Sequence, residues 1–302
     1  MSVKQQAPER ALAVYPDAAE RARRLTSEGP LVVKVGGSIQ DVPAQMAQVM
    51  GDAAALAAMG VAVVVVHGGG KAISAAMASA GLAPRFIAGQ RYTDEATLAI
   101  AEKVLAQTVN AELCAMLSAG GARPAPLHSL GECVLAARRR TAEPDLGLVG
   151  EVTAVRAERV RAILVEGRVP VIGPIALDER EASGGRRLNI NADLAGGAVA
   201  RALAPSRFVL VSDTAGVRSD PKDPATRLER LNEADVERLR ASGAVDGGML
   251  PKLHACFEAM GEGQASGGQR GVPIVDGRTA GALLRAALAT VGEPIDGTWV
   301  TL

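Results

Sequence analysis

The chain has 302 residues, 48% of them hydrophobic and 22% charged, and its 33 basic and 33 acidic side chains cancel to a formal charge of zero. That profile is a globular one, with enough chain for one large core or two lobes. Zero net charge and only 2% aromatic residues leave no general source of phosphate attraction or base stacking, which argues against nucleic-acid and anionic-membrane partners.

In chain order, residues 1–28 carry a charged helical pattern without an apolar signal core, so a cytoplasmic address is expected. "LVVKV" (31–35) reads as a buried strand, 43–59 as a helix, and "VAVVVV" (61–66) as a second buried strand running into "HGGGK". A long helix is expected over 94–119. The strand "VPVIG" (169–173) and the hairpin-tip composition of "DEREASGGRR" (178–187) follow. Next come a helix over 192–203, the strand "RFVLVS" (207–212), a helix over 232–242 and the glycine-rich linker "GEGQASGGQRG" (261–271). The strand "VPIV" (272–275) and a helix over 279–290 close the pattern. Continuous valine-rich strands alternating with helices predict a mainly parallel sheet covered on both faces, with ligands off the carboxyl ends of the strands.

The cysteines Cys114, Cys133 and Cys256 are widely spaced and read as free thiols. The histidines His67, His128 and His254 show no metal-ligand spacing. No apolar run is long enough to span a membrane. The basic triple at 138–140 reads as a solvated face.

Four stretches could carry chemistry. In "VVKVGGS", Lys34 sits in an apolar strand that ends at Gly36 and Gly37, which would let backbone N–H groups approach an anion; a tight turn with a snorkelling lysine is the alternative. In "VVVVHGGGKAIS", Gly68, Gly69 and Gly70 separate a strand from a helix whose N-terminus suits a phosphate. This is not the GxxxxGK[ST] loop, because Val65 stands at the first glycine position and Ala72 follows the lysine. In "RRLNINADLAGGAVARAL", Asn189, Asn191 and Asp193 alternate, which would put all three on one side of an extended segment; a helix cap is the alternative. In "DGGMLPKLHACFEAM", Lys252 occupies the first turn of a helix, where a cation opposes the dipole and calls for an anion. "GQRYTDEATL" adds Arg91, able to fork onto a carboxylate or to lie on the surface, followed by Thr93 and Asp94 in helix-starting positions.

The ordered set "KVGGS", "VVHGGGK", "GQRYTDEATL", "VNAEL", "GLVGEV", "PVIGPI", "NINAD", "SDTAGV", "GGMLPKL" and "VDGR" resembles the amino acid kinase family over residues 30–302, within it the branch whose acceptor is N-acetyl-L-glutamate. The resemblance implies a three-layer αβα sandwich of two lobes. Residues 30–191 would bind the amino acid and make a homodimer contact, and 192–302 would bind ATP, with 1–28 as a helical extension that in some relatives joins dimers into hexamers. It implies transfer of the ATP γ-phosphoryl group to the acceptor's side-chain carboxylate, a step of arginine biosynthesis. Lys34 and Lys252 would neutralise charge on the transferring group, and Asp193 would hold both. Gly69, Gly70, Arg91 and Asn189 would contact the acceptor, and Gly36, Gly37, Ser212 and Asp213 the nucleotide. Mg²⁺ would be carried on the nucleotide phosphates, with no protein ligand. Ala280 and Arg285 depart from the histidine and glutamate of the arginine-inhibited pattern. Two other readings of the resemblance are a non-catalytic domain sensing arginine or acetylglutamate, and a kinase for a related acid such as a carrier-linked aminoadipate.

Overall fold

The computed structural model describes residues 13–36, 39, 42–87, 89–180, 185–245, 247–261 and 271–302. Gly37, the tip residues 181–184 and most of the 261–271 linker lie outside the described residues.

The central sheet has eight strands in the order β12 (Arg230–Leu231), β14 (Gly297–Thr301), β13 (Gly271–Asp276), β11 (Arg207–Ser212), β1 (Leu31–Val35), β2 (Val63–His67), β8 (Val169–Ile172) and β5 (Pro124–Leu127). Neighbours pair in parallel except β13 with β14. Strand order reverses direction at β1, which lies between β2 and β11, and the crevice beyond β1 is where such sheets take ligands.

Alternation along the strands explains the layers. Leu31, Val33 and Val35 face one core, with Val63 and Val65 beside them. That core is covered by α1 (Ala18–Glu28), α2 (Pro43–Ala58), α3 (Gly70–Ser79), α4 (Glu95–Lys103), α5 (Asn110–Ala119) and, after α6 (Ala157–Val165), α7 (Ala192–Leu203), α8 (Glu233–Ala241) and α9 (Met249–Met260), by α10 (Ala282–Leu288). Val32, Val64 and Val66 face the opposite core, under α6, α7, α8 and α9. Lys34 shares the parity of Val32 and so enters this second layer.

The expected strands and helices appear with boundaries shifted by a few residues. The helix expected over 94–119 carries an internal π turn, Val104–Val109, between α4 and α5. A four-stranded sheet was not anticipated: β10 (Arg187–Asn189), β9 (Ile175–Asp178), β6 (Leu135–Arg139) and β7 (Gly150–Val155). A two-stranded hairpin, β3 (Phe86–Ile87) and β4 (Gln90–Arg91), completes the strands among the described residues. No helix among the described residues is long and apolar enough to cross a membrane.

Candidate active site

Three charged side chains from distant parts of the sequence meet at the carboxyl end of β1. The Lys34 ammonium lies 2.6 Å from Asp193 Oδ1, and the Lys252 ammonium 3.3 Å from Asp193 Oδ2. Lys34 is only 3% exposed, and its stem is sandwiched because α7 crosses β1 at Gly196. A Cβ at Gly196 would stand 3.1 Å from Lys34 Cβ and Cγ, while one at Gly197 would stand 3.0 Å from the Ala255 backbone of α9. The alanine- and glycine-rich sequence of α7 is thus what allows the close approach. Asp193 occupies the first turn of α7, where the dipole favours a carboxylate.

Burial pushes the Asp193 carboxyl up, but Lys34 and then Lys252 outweigh it and hold it below the usual carboxylate range. Burial draws the Lys34 ammonium below its ordinary value, against the opposing pull of Asp193. Lys252 also donates to the Gly248 carbonyl at 3.2 Å. Its charge, unfavourable in the first turn of α9, finds its compensation in Asp193.

Asn189, Asn191 and Asp193 all line the cleft, as their alternation suggested, but they do not lie on one extended segment. Strand β10 ends at Asn189, and the Asn191 side chain caps α7 by accepting from the Asp193 and Leu194 amides at 2.8 and 3.3 Å. The amide-donor expectation at Gly36 also fails. Its N–H donates to Val211 O at 2.8 Å, continuing the ladder between β1 and β11, so this glycine contributes room.

Gly69 caps α3 and Gly70 is its first residue. The leading N–H groups of a helix have no partner within it, which makes this turn a donor surface. A Cβ at Gly69 would come within 2.6 Å of Leu105 Cδ2. Arg91, 8% exposed, donates from Nη2 to the Gly70 carbonyl at 2.6 Å and to Ser74 Oγ at 2.8 Å. Its guanidinium lies 4.8 Å from the centre of the Phe86 ring. Burial draws its pKa down, but a guanidinium remains charged at neutral pH. Asn189 Nδ2 donates to Thr93 Oγ1 at 3.1 Å. Asp94 caps α4 through the Thr97 amide at 2.8 Å, matching its expected helix-starting role.

Lys34, Gly36, Gly69, Gly70, Arg91, Asn189, Asp193, Ser212 and Lys252 all line one cleft of about 400 Å³. Asp213 is beside it, accepting from Ser212 Oγ at 3.2 Å. A second cavity of about 210 Å³ lies behind Asp213, lined by Thr214, Gly216, Val217, Arg218, Pro221, Ala244, Val245, Gly248 and Met249. The sequence reading missed Ser74, Phe86 and Leu105 as cleft residues, read Thr93 only as a helix-starting residue and assigned no role to Asn110. Ser74, Thr93 and Asn110 stand inside quoted motifs; Phe86 and Leu105 carry no local signal. Among the described residues no group of three or more histidine, cysteine, aspartate or glutamate side chains could hold a metal. The carboxylate in the cleft is already committed to two ammonium groups.

Residues 29–267 match the Amino acid kinase family. The chain belongs to that family. It is 36% identical over 271 residues to the acetylglutamate kinase of Methanothrix thermoacetophila, covering 87% of this chain and 90% of that one. It is 39% identical over 267 residues to the acetylglutamate kinase of Anaeromyxobacter dehalogenans, covering 85% and 95%. Among solved structures, an N-acetylglutamate synthase from Neisseria gonorrhoeae, complexed with coenzyme A and N-acetyl-glutamate, superposes with a TM-score of 0.78 at 21% identity. That match covers 96% of this chain and 63% of the synthase. It bears on the amino acid kinase fold alone.

Proposed function

We propose that this amino acid kinase transfers the γ-phosphoryl group of ATP to the side-chain carboxylate of N-acetyl-L-glutamate, a step of arginine biosynthesis. The observation that carries the reading is the pair of ammonium groups on Asp193, in a cleft that Arg91 also lines. The identity to acetylglutamate kinases over most of both chains supports the acceptor.

A carboxylate oxygen of the acceptor forms a bond to the γ-phosphorus as the bond from phosphorus to the β,γ-bridging oxygen breaks, releasing ADP and leaving an acyl phosphate. The acceptor is already ionised at neutral pH, so no base has to remove a proton. The work left to the protein is alignment and charge neutralisation. Lys34 and Lys252 take the charge that builds on the transferring oxygens, and Asp193 keeps the two ammonium groups from drifting apart. The N–H groups of Gly69 and Gly70 face the acceptor carboxylate and the transferring group. Arg91 and Asn189 hold the α-carboxylate end. Ser212 and Asp213 border the nucleotide, whose base takes the cavity lined by Thr214. Mg²⁺ enters as part of the MgATP substrate.

The half of the sheet from β1 to β5 and the small sheet would form the acceptor lobe, residues 30–191, and residues 192–302 the nucleotide lobe. A cytoplasmic homodimer is the state proposed, and a scattering mass separates it from a hexamer.

Trapping the acyl phosphate with hydroxylamine, in the presence of MgATP, tests the function across N-acetylglutamate, glutamate, aspartate and N-acetyl-aminoadipate. Product with N-acetylglutamate alone is expected. Product with another acid would keep the chemistry and move the acceptor; ligand binding without product would remove the kinase reading.

A further inference from the structure

His67 and Asn110 are both fully buried beside the glycine turn, and the mechanism above uses neither. His67 is the last residue of β2, and its Nδ1 lies 2.9 Å from the carbonyl oxygen of Gly68. Its Nε2 lies 3.1 Å from Asn110 Nδ2, which is also 2.9 Å from the carbonyl of Val171 on β8. On its other side, Asn110 Oδ1 accepts from the Cys114 thiol at 3.5 Å.

The two ends of this chain fix every proton in it. A carbonyl oxygen only accepts, so the Gly68 contact requires a hydrogen on His67 Nδ1. The Val171 contact likewise requires the asparagine atom to be the NH₂ group, whose second hydrogen then points at His67 Nε2. That nitrogen must be bare to receive it. The imidazole is therefore the neutral Nδ1–H tautomer, and burial agrees, pulling its pKa down to about 4.

The consequence reaches the cleft through the planar peptide. In a trans peptide the C=O and the following N–H point in opposite directions. With the Gly68 carbonyl held towards the buried imidazole, the Gly69 N–H is turned the other way, and Gly68, Gly69 and Gly70 line the cleft. The π turn completes the arrangement. Its extra residue per turn lets Leu105 and Val109 pack on Gly69 while Asn110, bonded through its own amide to Leu105 O, reaches His67.

We propose that His67 is a positioning residue for phosphoryl transfer: its Nδ1–H holds the Gly68 carbonyl so that the Gly69 and Gly70 amides face the reacting groups, and Asn110, set by the π turn, fixes the tautomer that can do this. The catalytic half of this statement rests on the kinase reading; the orientation of the loop does not.

The test uses the whole chain and has two arms. Nitrogen-15 spectra of the wild type should show a neutral His67 protonated at Nδ1, and His67→Leu should move the Gly69 and Gly70 amide resonances. His67→Asn, whose Nδ2 occupies the place of the imidazole Nδ1, should return them towards their wild-type positions. An Nε2–H tautomer, an imidazolium at neutral pH, or glycine amides indifferent to His67→Leu would overturn the proposal, whatever the acceptor is. In the kinetic arm, His67→Leu should lower kcat about 10- to 100-fold with the KM for ATP within about 3-fold. His67→Asn should recover most of that loss. A purely structural role would instead lower Tm without changing turnover per folded molecule, and that result would also refute the proposal. Asn110→Leu, which leaves the strand end intact, should give the same direction of change and replaces His67→Leu if that variant does not fold. A wild type without kinase activity would sink the functional reading while the spectroscopic arm still decides the loop.

Discussion

Replacing Asp193 with asparagine removes one charge and almost no volume, and it should separate the stability role of this residue from its catalytic one. The two ammonium groups lie 2.6 and 3.3 Å from its oxygens. At an effective dielectric of about 20, those distances correspond to about 6 and about 5 kcal/mol of gross attraction. Much of this is offset by what it costs to bury the carboxylate, and the loss on breaking a buried pair is about 3–5 kcal/mol, because Lys34 is left charged and enclosed. A chain of this size should then melt on the order of 10 °C lower. The pH dependence follows from Lys34, whose folded pKa already lies below its ordinary value. Losing Asp193 lowers it further, so the folded variant sheds the proton earlier than the wild type as pH rises. The stability deficit is therefore largest near neutrality and narrows through the alkaline range below the ordinary lysine pKa. In acid it also narrows, as the wild type loses the Asp193 contribution when pH falls through that residue's depressed pKa. Turnover should not follow this recovery, since a neutral Lys34 cannot stabilise the transferring phosphoryl group; kcat should fall about 100-fold or more at every pH. Denaturant titrations from pH 7 to 10, beside acyl-phosphate assays, measure both. A deficit below about 1 kcal/mol, a deficit that does not change with pH, or kcat within about 5-fold of wild type would refute the argument.

Lys252→Met should cost less stability than Lys34→Met, because Lys252 is the more exposed of the two at 18% against 4% of the side chain, yet the kcat losses should be comparable; chemical denaturation and initial rates compare them. Arg91→Ala should raise the acceptor KM about 10- to 100-fold. It should also lower kcat through the lost hydrogen bond to Gly70 O, and an unchanged acceptor KM would remove its assigned role. Gly69→Ala should abolish most turnover by meeting Leu105 Cδ2, and adding Leu105→Ala should restore part of it, read as kcat in the single and double variants. Chelation with EDTA should stop turnover without shifting Tm, and added Mg²⁺ should restore it.

The main strands of the large sheet were legible because they are buried on both faces and read as unbroken valine runs. The small sheet was not. Its strand Leu135–Arg139 buries Leu135 and Ala137 in alternation, but the sequence "LAARR" carries too little apolar contrast for a period of two or a continuous apolar run to stand out. Strand β14 was missed for another reason: "GTWVT" is short and is identified by its pairing with β13 and β12. In the site, Lys34 and Lys252 were visible as charges in costly places, a lysine in an apolar strand and a cation in a first turn. Arg91 was ambiguous between surface and site, because its burial depends on Phe86 and Ser74, which are brought to it by folding. Asn191 shows the limit of periodicity. Alternate spacing suggested a shared side, and all three residues line the cleft, but the helix begins at Ala192 and the Asn191 side chain serves as its cap.

The charge pattern also says something about the acceptor that no single motif does. Lys34, Lys252 and Asp193 together carry one net positive charge at the carboxyl end of β1, with Asp213 close enough to act on Lys34, although the chain as a whole is neutral. Arg91 and Lys71 add further positive charge to the lining of the same cleft. A ligand with a single anionic group would neutralise the charge of the lysine pair or of Arg91, but not of both. A flexible acid bearing a carboxylate at each end satisfies both, and only the one nearer Lys34 and Lys252 lies where a phosphoryl group can be delivered. The two cationic points therefore select for a dicarboxylate and for which of its carboxylates reacts. An acceptor amidated at the Arg91 end should lose binding, whereas one amidated at the lysine end should still bind and yield no acyl phosphate.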